Sequence, residues 1–311
     1  MTTRLFSHSL YAVLLLALVA CQGGERTHAS ADENLQLKYA ELITDEHLAL
    51  IGGDYQRVAV DASVYKGLME MLGVGDKCID FSDQMKPDVE KIAASKADLL
   101  LISAYEGADL KKYERLGIPV VQCRDFLETT ALGRAEWMRY LGRLWGVAER
   151  ADSLFTVIEG NLSPLDVPQN KESRPSFLFD TIYGAVWYQP SPESTIGQLV
   201  TMAGGTIPFR SEQKGGSLAL SKEEVLLNAR DADYWIVRYM GKEDMTLADL
   251  ARINPIYAEF QAFKEGRVFG CNTSKVPFYD ETPFRPDWLL DDFKHIIKGN
   301  NDSLRYFKKI Y

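Results

Sequence analysis

The chain has 311 residues, 46% of them apolar and 25% charged, with a formal net charge of −9. These proportions are those of an ordinary globular protein. The acidic balance and the lack of any basic run weigh against nucleic-acid binding, which needs clustered Lys and Arg against phosphates.

Residues 1–20 read as a signal peptide: Arg4 precedes an apolar run from Leu10 to Ala20. That run is shorter than the ~18 residues of a membrane-spanning helix. Leu18-Val19-Ala20-Cys21 resembles a bacterial lipobox, which makes Cys21 the expected site of lipidation. Residues 21–35 then read as a polar tether with an r.m.s. span of roughly 20 Å. The expected location is the bacterial periplasm or cell surface, with only the lipid touching the membrane. The body that follows, about 290 residues, suits two lobes better than one core.

Residues 36–128 read as an N-terminal α/β lobe. Strands are expected at Arg57–Asp61, Lys77–Phe81, Asp98–Ile102 and Gly117–Cys123. Helices are expected between them near 63–72, 86–94 and 110–116. Residues 129–162 read as one bridging helix, with apolar positions at Trp137, Leu141, Leu144, Ala148, Ala151, Phe155, Ile158 and Leu162. Their alternating spacing of four and three makes one stripe, and such a rod would be about 45–50 Å long. Residues 163–311 read as a C-terminal lobe. Strands are expected at 176–182, 204–209, 234–237 and 267–269, and helices at 195–203, after Ser221, and at 287–298. Strands alternating with helices predict an α/β fold: two lobes of mainly parallel sheet flanked by helices and joined by one long rigid helix. Cys78, Cys123 and Cys271 are expected as unpaired thiols.

In parallel sheets, ligands sit beyond the carboxyl ends of the strands. That rule collects Asp61, Ser63, Ser103, Tyr105, Glu106, Arg124 and Asp125 from the first lobe. From the second it collects Tyr183, Trp187, Tyr188, Phe209, Arg210, Arg238, Tyr239, Asn272, Thr273, Phe278 and Tyr279. The candidates for ligand contact are Tyr105, Arg124, Tyr183, Trp187, Tyr188, Arg210, Arg238, Tyr239, Asn272 and Tyr279. Rings with a few arginines suit a bulky, partly flat, anionic ligand.

Catalytic motifs are missing: no G-x-S-x-G elbow, Walker A loop, C-x-x-C pair or H-E-x-x-H occurs. Only His47 and His295 lie in the body, so neither a histidine-based zinc site nor a Ser-His-Asp triad is expected. A two-carboxylate hydrolase would draw on Asp61, Glu106 and Asp125. The alternatives to a binding protein are thus a chelatase or glycosidase acting on the same ligand, or a surface adhesin. Neither catalytic residues, a resident metal nor a cofactor are expected.

Several stretches, in order, carry a resemblance: Met85–Ile92, Ala97–Ile102, Leu116–Val121, Gly133–Glu136, Ile196–Leu199 with Ala203–Gly205, Leu220–Leu226, and Phe263–Phe269. Together the chain resembles the substrate-binding lipoproteins of ABC importers for ferric siderophores, haem and corrinoids. The resemblance implies a monomer that captures such a ligand between its lobes; three arginines at strand ends, Arg124, Arg210 and Arg238, put a ferric siderophore ahead of haem or cobalamin. It implies delivery to an ABC permease dimer with its ATPase. It also implies one docking glutamate on each lobe, Glu90 and Glu223, with Glu224 the alternative to the second.

Overall fold

The computed structural model describes residues 35–81, 89–103, 113, 115–162, 174–211 and 215–311. Cys21, the signal and tether residues up to 34, Tyr105, Glu106 and the expected helix over most of 110–116 lie outside them.

The first lobe opens with a short helix α1 (Asp45–Leu48), then β1 (Val58–Val60), α2 (Ala62–Leu72), β2 (Cys78–Asp80), α3 (Val89–Ser95), β3 (Leu99–Ser103) and β4 (Val120–Cys123). These strands form one parallel sheet in the order β2-β1-β3-β4. β1 and most of β3 are buried on both faces, which explains their unbroken Val, Ala, Leu and Ile runs.

After β4 come α4 (Ala131–Leu144) and α5 (Ala148–Asn161). This corrects the expectation of a single rod over 129–162. The chain turns at Gly146, whose φ of +70° is the left-handed value that glycine adopts without strain. Val147 N–H donates to Gly142 O at 2.7 Å and Gly146 N–H to Arg143 O at 3.1 Å. That pair of bonds is a Schellman C-cap. The two helices, about 21 Å each at 1.5 Å per residue, then lie antiparallel as a hairpin. A Cβ on Gly142 would stand 2.4 Å from that of Ala151, and Asp152 bridges Arg139 (2.8 Å) and Arg143 (2.9 Å). The apolar stripe ran on through the break because both helices bury the same kind of face against each other and the lobes.

The second lobe contains β5 (Phe177–Phe179), β6 (Trp187–Pro190), α6 (Thr195–Met202), β7 (Ser217–Leu220), α7 (Lys222–Ala229), β8 (Tyr234–Tyr239), α8 (Leu247–Ile253), α9 (Gln261–Lys264), β9 (Val268–Asn272), α10 (Phe278–Glu281), α11 (Pro286–Lys298) and β10 (Lys308–Lys309). Its main sheet runs β10-β9-β8-β5, with only β10 antiparallel. β6 and β7 pair antiparallel beside it. The expected strand at 204–209 shrinks to one bridge between Thr206 and Ser176. Ser221 caps α7 in the expected capping box with Glu224. Cys78, Cys123 and Cys271 are free thiols.

The lobes touch directly, and one hydrophobic core runs through both. Tyr65 of α2 meets Phe284 with ring centroids 6.0 Å apart. A Cβ on Gly67 would fall 2.3 Å from the backbone oxygen of Asp280 in α10. Gly67→Val is therefore expected to destabilise the protein by about 1–3 kcal/mol and to part the lobes. An unchanged melting temperature and an unchanged radius of gyration in solution scattering would contradict that contact.

A strap from residue 35 to 44 lies along the hairpin. Glu136, fully buried, accepts the N–H groups of Lys38 (3.0 Å), Tyr39 (2.7 Å) and Ala40 (2.8 Å). Glu128 accepts those of Glu41 (3.1 Å) and Leu42 (2.9 Å), and the Trp137 indole N–H at 2.8 Å. Arg139 donates to Gln36 O at 2.6 Å. Each buried carboxylate thus finds donors that replace water.

Candidate functional site

Between the lobes lies a cavity of about 290 Å³. α2 contributes Val64, α4 contributes Ala131 and Arg134, and α6 contributes Thr195, Ile196 and Leu199. β8 contributes Arg238, and the segment from α10 into α11 contributes Phe278, Tyr279, Thr282, Pro283, Pro286 and Leu289. A second cavity of about 180 Å³ shares Thr195, Ile196 and Arg238 with the first and adds Phe126, Glu128, Asp180 and Tyr188. Residues of both lobes therefore face one cleft, at the carboxyl ends of their parallel strands.

Two arginines of the cleft, Arg238 of the second lobe and Arg134 of the hairpin, are each held by an aspartate. In the second lobe, Asp180 follows β5 with φ +53°, a left-handed conformation that aspartate tolerates better than most residues. Its N–H donates to Ile236 O at 2.7 Å, and its O accepts the Trp235 indole N–H at 2.8 Å. So fixed, its carboxylate accepts Arg238 Nε at 2.9 Å and pairs with Arg238 Nη2. Burial works against the Arg238 charge, but the hydrogen bond and charge of Asp180 outweigh it and hold the guanidinium pKa above its ordinary value. The Phe278 ring lies 5.7 Å from the guanidinium carbon.

In the first lobe, Asp125 follows β4 and is 1% exposed. It accepts Tyr65 Oη–H at 2.9 Å and Arg134 Nε at 3.2 Å. Burial pushes the Tyr65 phenol well above its ordinary pKa and the neighbouring Cys123 thiol up to about 12. Cys123 is thus an inert core thiol. Asp125 is engaged by Tyr65 and Arg134, which takes it out of the carboxylates a hydrolase would draw on.

The sequence-derived candidates divide sharply. Arg238 and Tyr279 line the main cavity, and Tyr188 lines the second. Trp187 does not face the cleft. It is fully buried, donates to Phe179 O at 2.9 Å, and packs on Trp235, Tyr257 and Phe260 with centroids 5.4–5.9 Å away. Residues 187 and 188 share a strand, so successive side chains point to opposite faces and only one can reach the cleft. Tyr183 is 80% exposed and lines neither cleft cavity. Arg210 is exposed and outside both as well. Arg124 faces a separate small cavity beside His47. Tyr239 accepts Met245 N–H at 2.8 Å, and Asn272 donates to Gly241 O at 2.8 Å and to Glu243 O at 3.2 Å. That pair braces the 241–245 loop rather than the cleft.

Arg134 and Phe126 were missed. Arg134 looks like any solvated helix arginine, and its only hint is its place in the first turn after Thr130, which caps α4 through the N–H of Gly133 at 2.9 Å. Among the described residues, no group of three or more His, Cys, Asp or Glu is placed to hold a metal ion.

Glu90 and Glu223 are both exposed in first turns, of α3 and α7. Glu224 is bound into its cap, accepting Ser221 N–H and Oγ–H at 2.7 Å each. Glu223, by contrast, lies 3.5 Å from the neighbouring Lys222.

Residues 10–274 match the family model described as periplasmic binding protein. An uncharacterized lipoprotein of Methanocaldococcus jannaschii is 26% identical over 290 residues, 87% of this chain and 70% of its own. An ABC-type Fe3+-hydroxamate transport system protein from Saccharomonospora viridis superposes with TM-score 0.57 and 20% identity, covering 79% of this chain and 93% of its own. The triscatecholate siderophore binding protein FeuA of Bacillus subtilis, complexed with ferri-bacillibactin, gives TM-score 0.59 and 17% identity over 80% and 94%. The two-lobed α/β fold agrees with these structures, and the family is one of binding proteins rather than enzymes. On the span of the family match and the cleft its two sheets enclose, the chain belongs to the periplasmic binding protein family.

Proposed function

We propose that this protein is a lipid-anchored solute-binding protein that captures a ferric siderophore between its lobes and delivers it to an ABC permease dimer with its ATPase. The observation that carries the reading is the single cleft lined from both lobes, with two carboxylate-supported arginines, Arg134 of the hairpin and Arg238 of the second lobe. Capture needs no bond-making. The ligand enters between the lobes, its rings or chelate arms lie against Phe278, Tyr279 and Tyr188, and the guanidiniums meet its negative charge. A cleft whose arginines are already braced pays little ordering entropy on binding. Cys21 carries the acyl anchor that holds the body at the membrane surface. Glu90 and Glu223 dock the loaded protein, one per lobe.

Titration of the purified protein with a panel of ferric siderophores, haemin and cobalamin tests this reading. Saturable one-to-one binding of a ferric siderophore, returned unaltered, in preference to haemin and cobalamin, is the expected result. Failure to bind any of them, or release of a chemically changed product, would overturn it.

A further inference from the structure

Away from the cleft, α7 carries the most exposed leucine among the described residues. Leu227 is 84% exposed, while Val225 and Ala229 of the same helix are buried and anchor it in the second lobe. Glu223, Leu226, Leu227 and Arg230 follow at i, i+3, i+4 and i+7, which puts them on one side of the helix. Beside that side runs the 3₁₀ helix Pro255–Glu259, capped by Asn254, whose side chain accepts Ile256 N–H at 3.2 Å. Its Tyr257 is fully buried, and Gln261 N–H donates to Arg230 O at 2.8 Å, so the two walls are fixed relative to each other. Between them lies an open groove of about 500 Å³, lined by Glu223, Leu226, Leu227, Arg230, Ile256 and Glu259. Arg230 pairs with Glu259 at 3.0 Å, and two carboxylates against one guanidinium leave the lining acidic. A lone exposed leucine is ordinary. A leucine that forms an apolar groove with Leu226 and Ile256, bordered by charge, has the make-up of an interface, with an apolar centre and a polar rim.

We propose that this groove receives an apolar side chain of the permease, so that the second lobe docks through Leu227 as an apolar anchor and not through Glu223 alone. This rests on the importer reading above and deepens it. Continuity ties the groove to the permease: Glu223, the docking residue in that reading, is part of the groove lining, one helical turn before Leu227. Glu224 is bound into its cap, so Glu223 is the carboxylate that shares a side with the groove. The partner is therefore an aliphatic or aromatic side chain with a lysine or arginine close by. The cation meets Glu223, and the apolar group lies against Leu226, Leu227 and Ile256. Charge steers the encounter and is screened by salt, whereas burial of Leu227 holds the complex and is not. Both walls are anchored in the core, so docking orders little of the lobe.

Full-length wild type, Leu227→Asp, Leu227→Met and Val157→Asp, each returned to cells deleted for the chain, test this. Val157 of α5 is 54% exposed and outside the groove lining, and serves as the surface control. Radioiron is supplied as the ferric complexes of the cells' own iron-starved medium. Uptake is expected to fall at least about tenfold with Leu227→Asp and to keep the wild-type rate with Leu227→Met and Val157→Asp. A photoactivatable benzoylphenylalanine placed at position 227 is expected to cross-link to a membrane-embedded permease subunit. Melting curves establish that the variants are folded; if Leu227→Asp is not, the cross-link alone decides. The proposal is overturned by wild-type uptake through a folded Leu227→Asp or by an equal loss with Val157→Asp. It is likewise overturned if position 227 cross-links only to a second copy of this chain, only to a protein other than the permease, or to nothing. Uptake by the wild type no higher than in the deletion would instead overturn the importer reading, and the docking groove with it.

Discussion

Glu136→Ala is expected to lower stability by about 3 kcal/mol and to release the N-terminal strap. The carboxylate is fully buried and organises three consecutive backbone N–H groups, Lys38 to Ala40, at 2.7–3.0 Å. A hydrogen bond to a charged group contributes about 1.5–3 kcal/mol, and a buried donor left without a partner costs about 1–3 kcal/mol. The strap limits the damage by peeling away into water, so the loss approaches the free energy of strap docking rather than the sum of the bonds. With about 2.1 cal/mol/K of unfolding entropy per residue, each kcal/mol moves the melting temperature of a chain this long by about 1.6 °C, giving a shift of about 5 °C. Limited proteolysis should cut the variant between residues 35 and 44 well before the wild type. Equal melting and equal cleavage would show that the strap is not held there.

The second large effect separates adjacent residues. Trp187→Ala removes a fully buried indole, which is one of two side-chain donors to Phe179 O beside Gln189, and leaves a cavity among its aromatic neighbours. A loss of about 3–5 kcal/mol is expected. Tyr188→Ala, one residue on, removes a half-exposed ring from the rim and should change stability by no more than about 0.5 kcal/mol while weakening ligand binding. Chemical denaturation of both variants checks this. A stable Trp187→Ala, or a Tyr188→Ala that unfolds readily, would invert the assignment of core and cleft.

That contrast also explains what could be read from the chain alone. Helix limits at α2, α6, α7 and α11 were legible because capping and periodicity are local, as Ser221 and Glu224 illustrate. Arg238 was legible because a parallel strand delivers its carboxyl end to the ligand side. Trp187 was misassigned because β6 was not seen as a strand, and its period of two was therefore never applied. The hairpin was hidden because apolar spacing is the same whether two helices continue or fold back. Gly146 was the available sign, since glycine just past a helix end is its usual C-cap. Arg134, Glu128 and Glu136 escaped for another reason. A charged residue whose partner is set by tertiary packing is indistinguishable in sequence from one facing water.

Iron uptake by cells carrying the wild type, a deletion, or the Glu90→Ala/Glu223→Ala double variant puts capture and delivery to the most direct test. With ligand binding by the purified variant unchanged, uptake is predicted to fall to the level of the deletion. Uptake at the wild-type rate by the double variant, or by the deletion itself, would contradict the account.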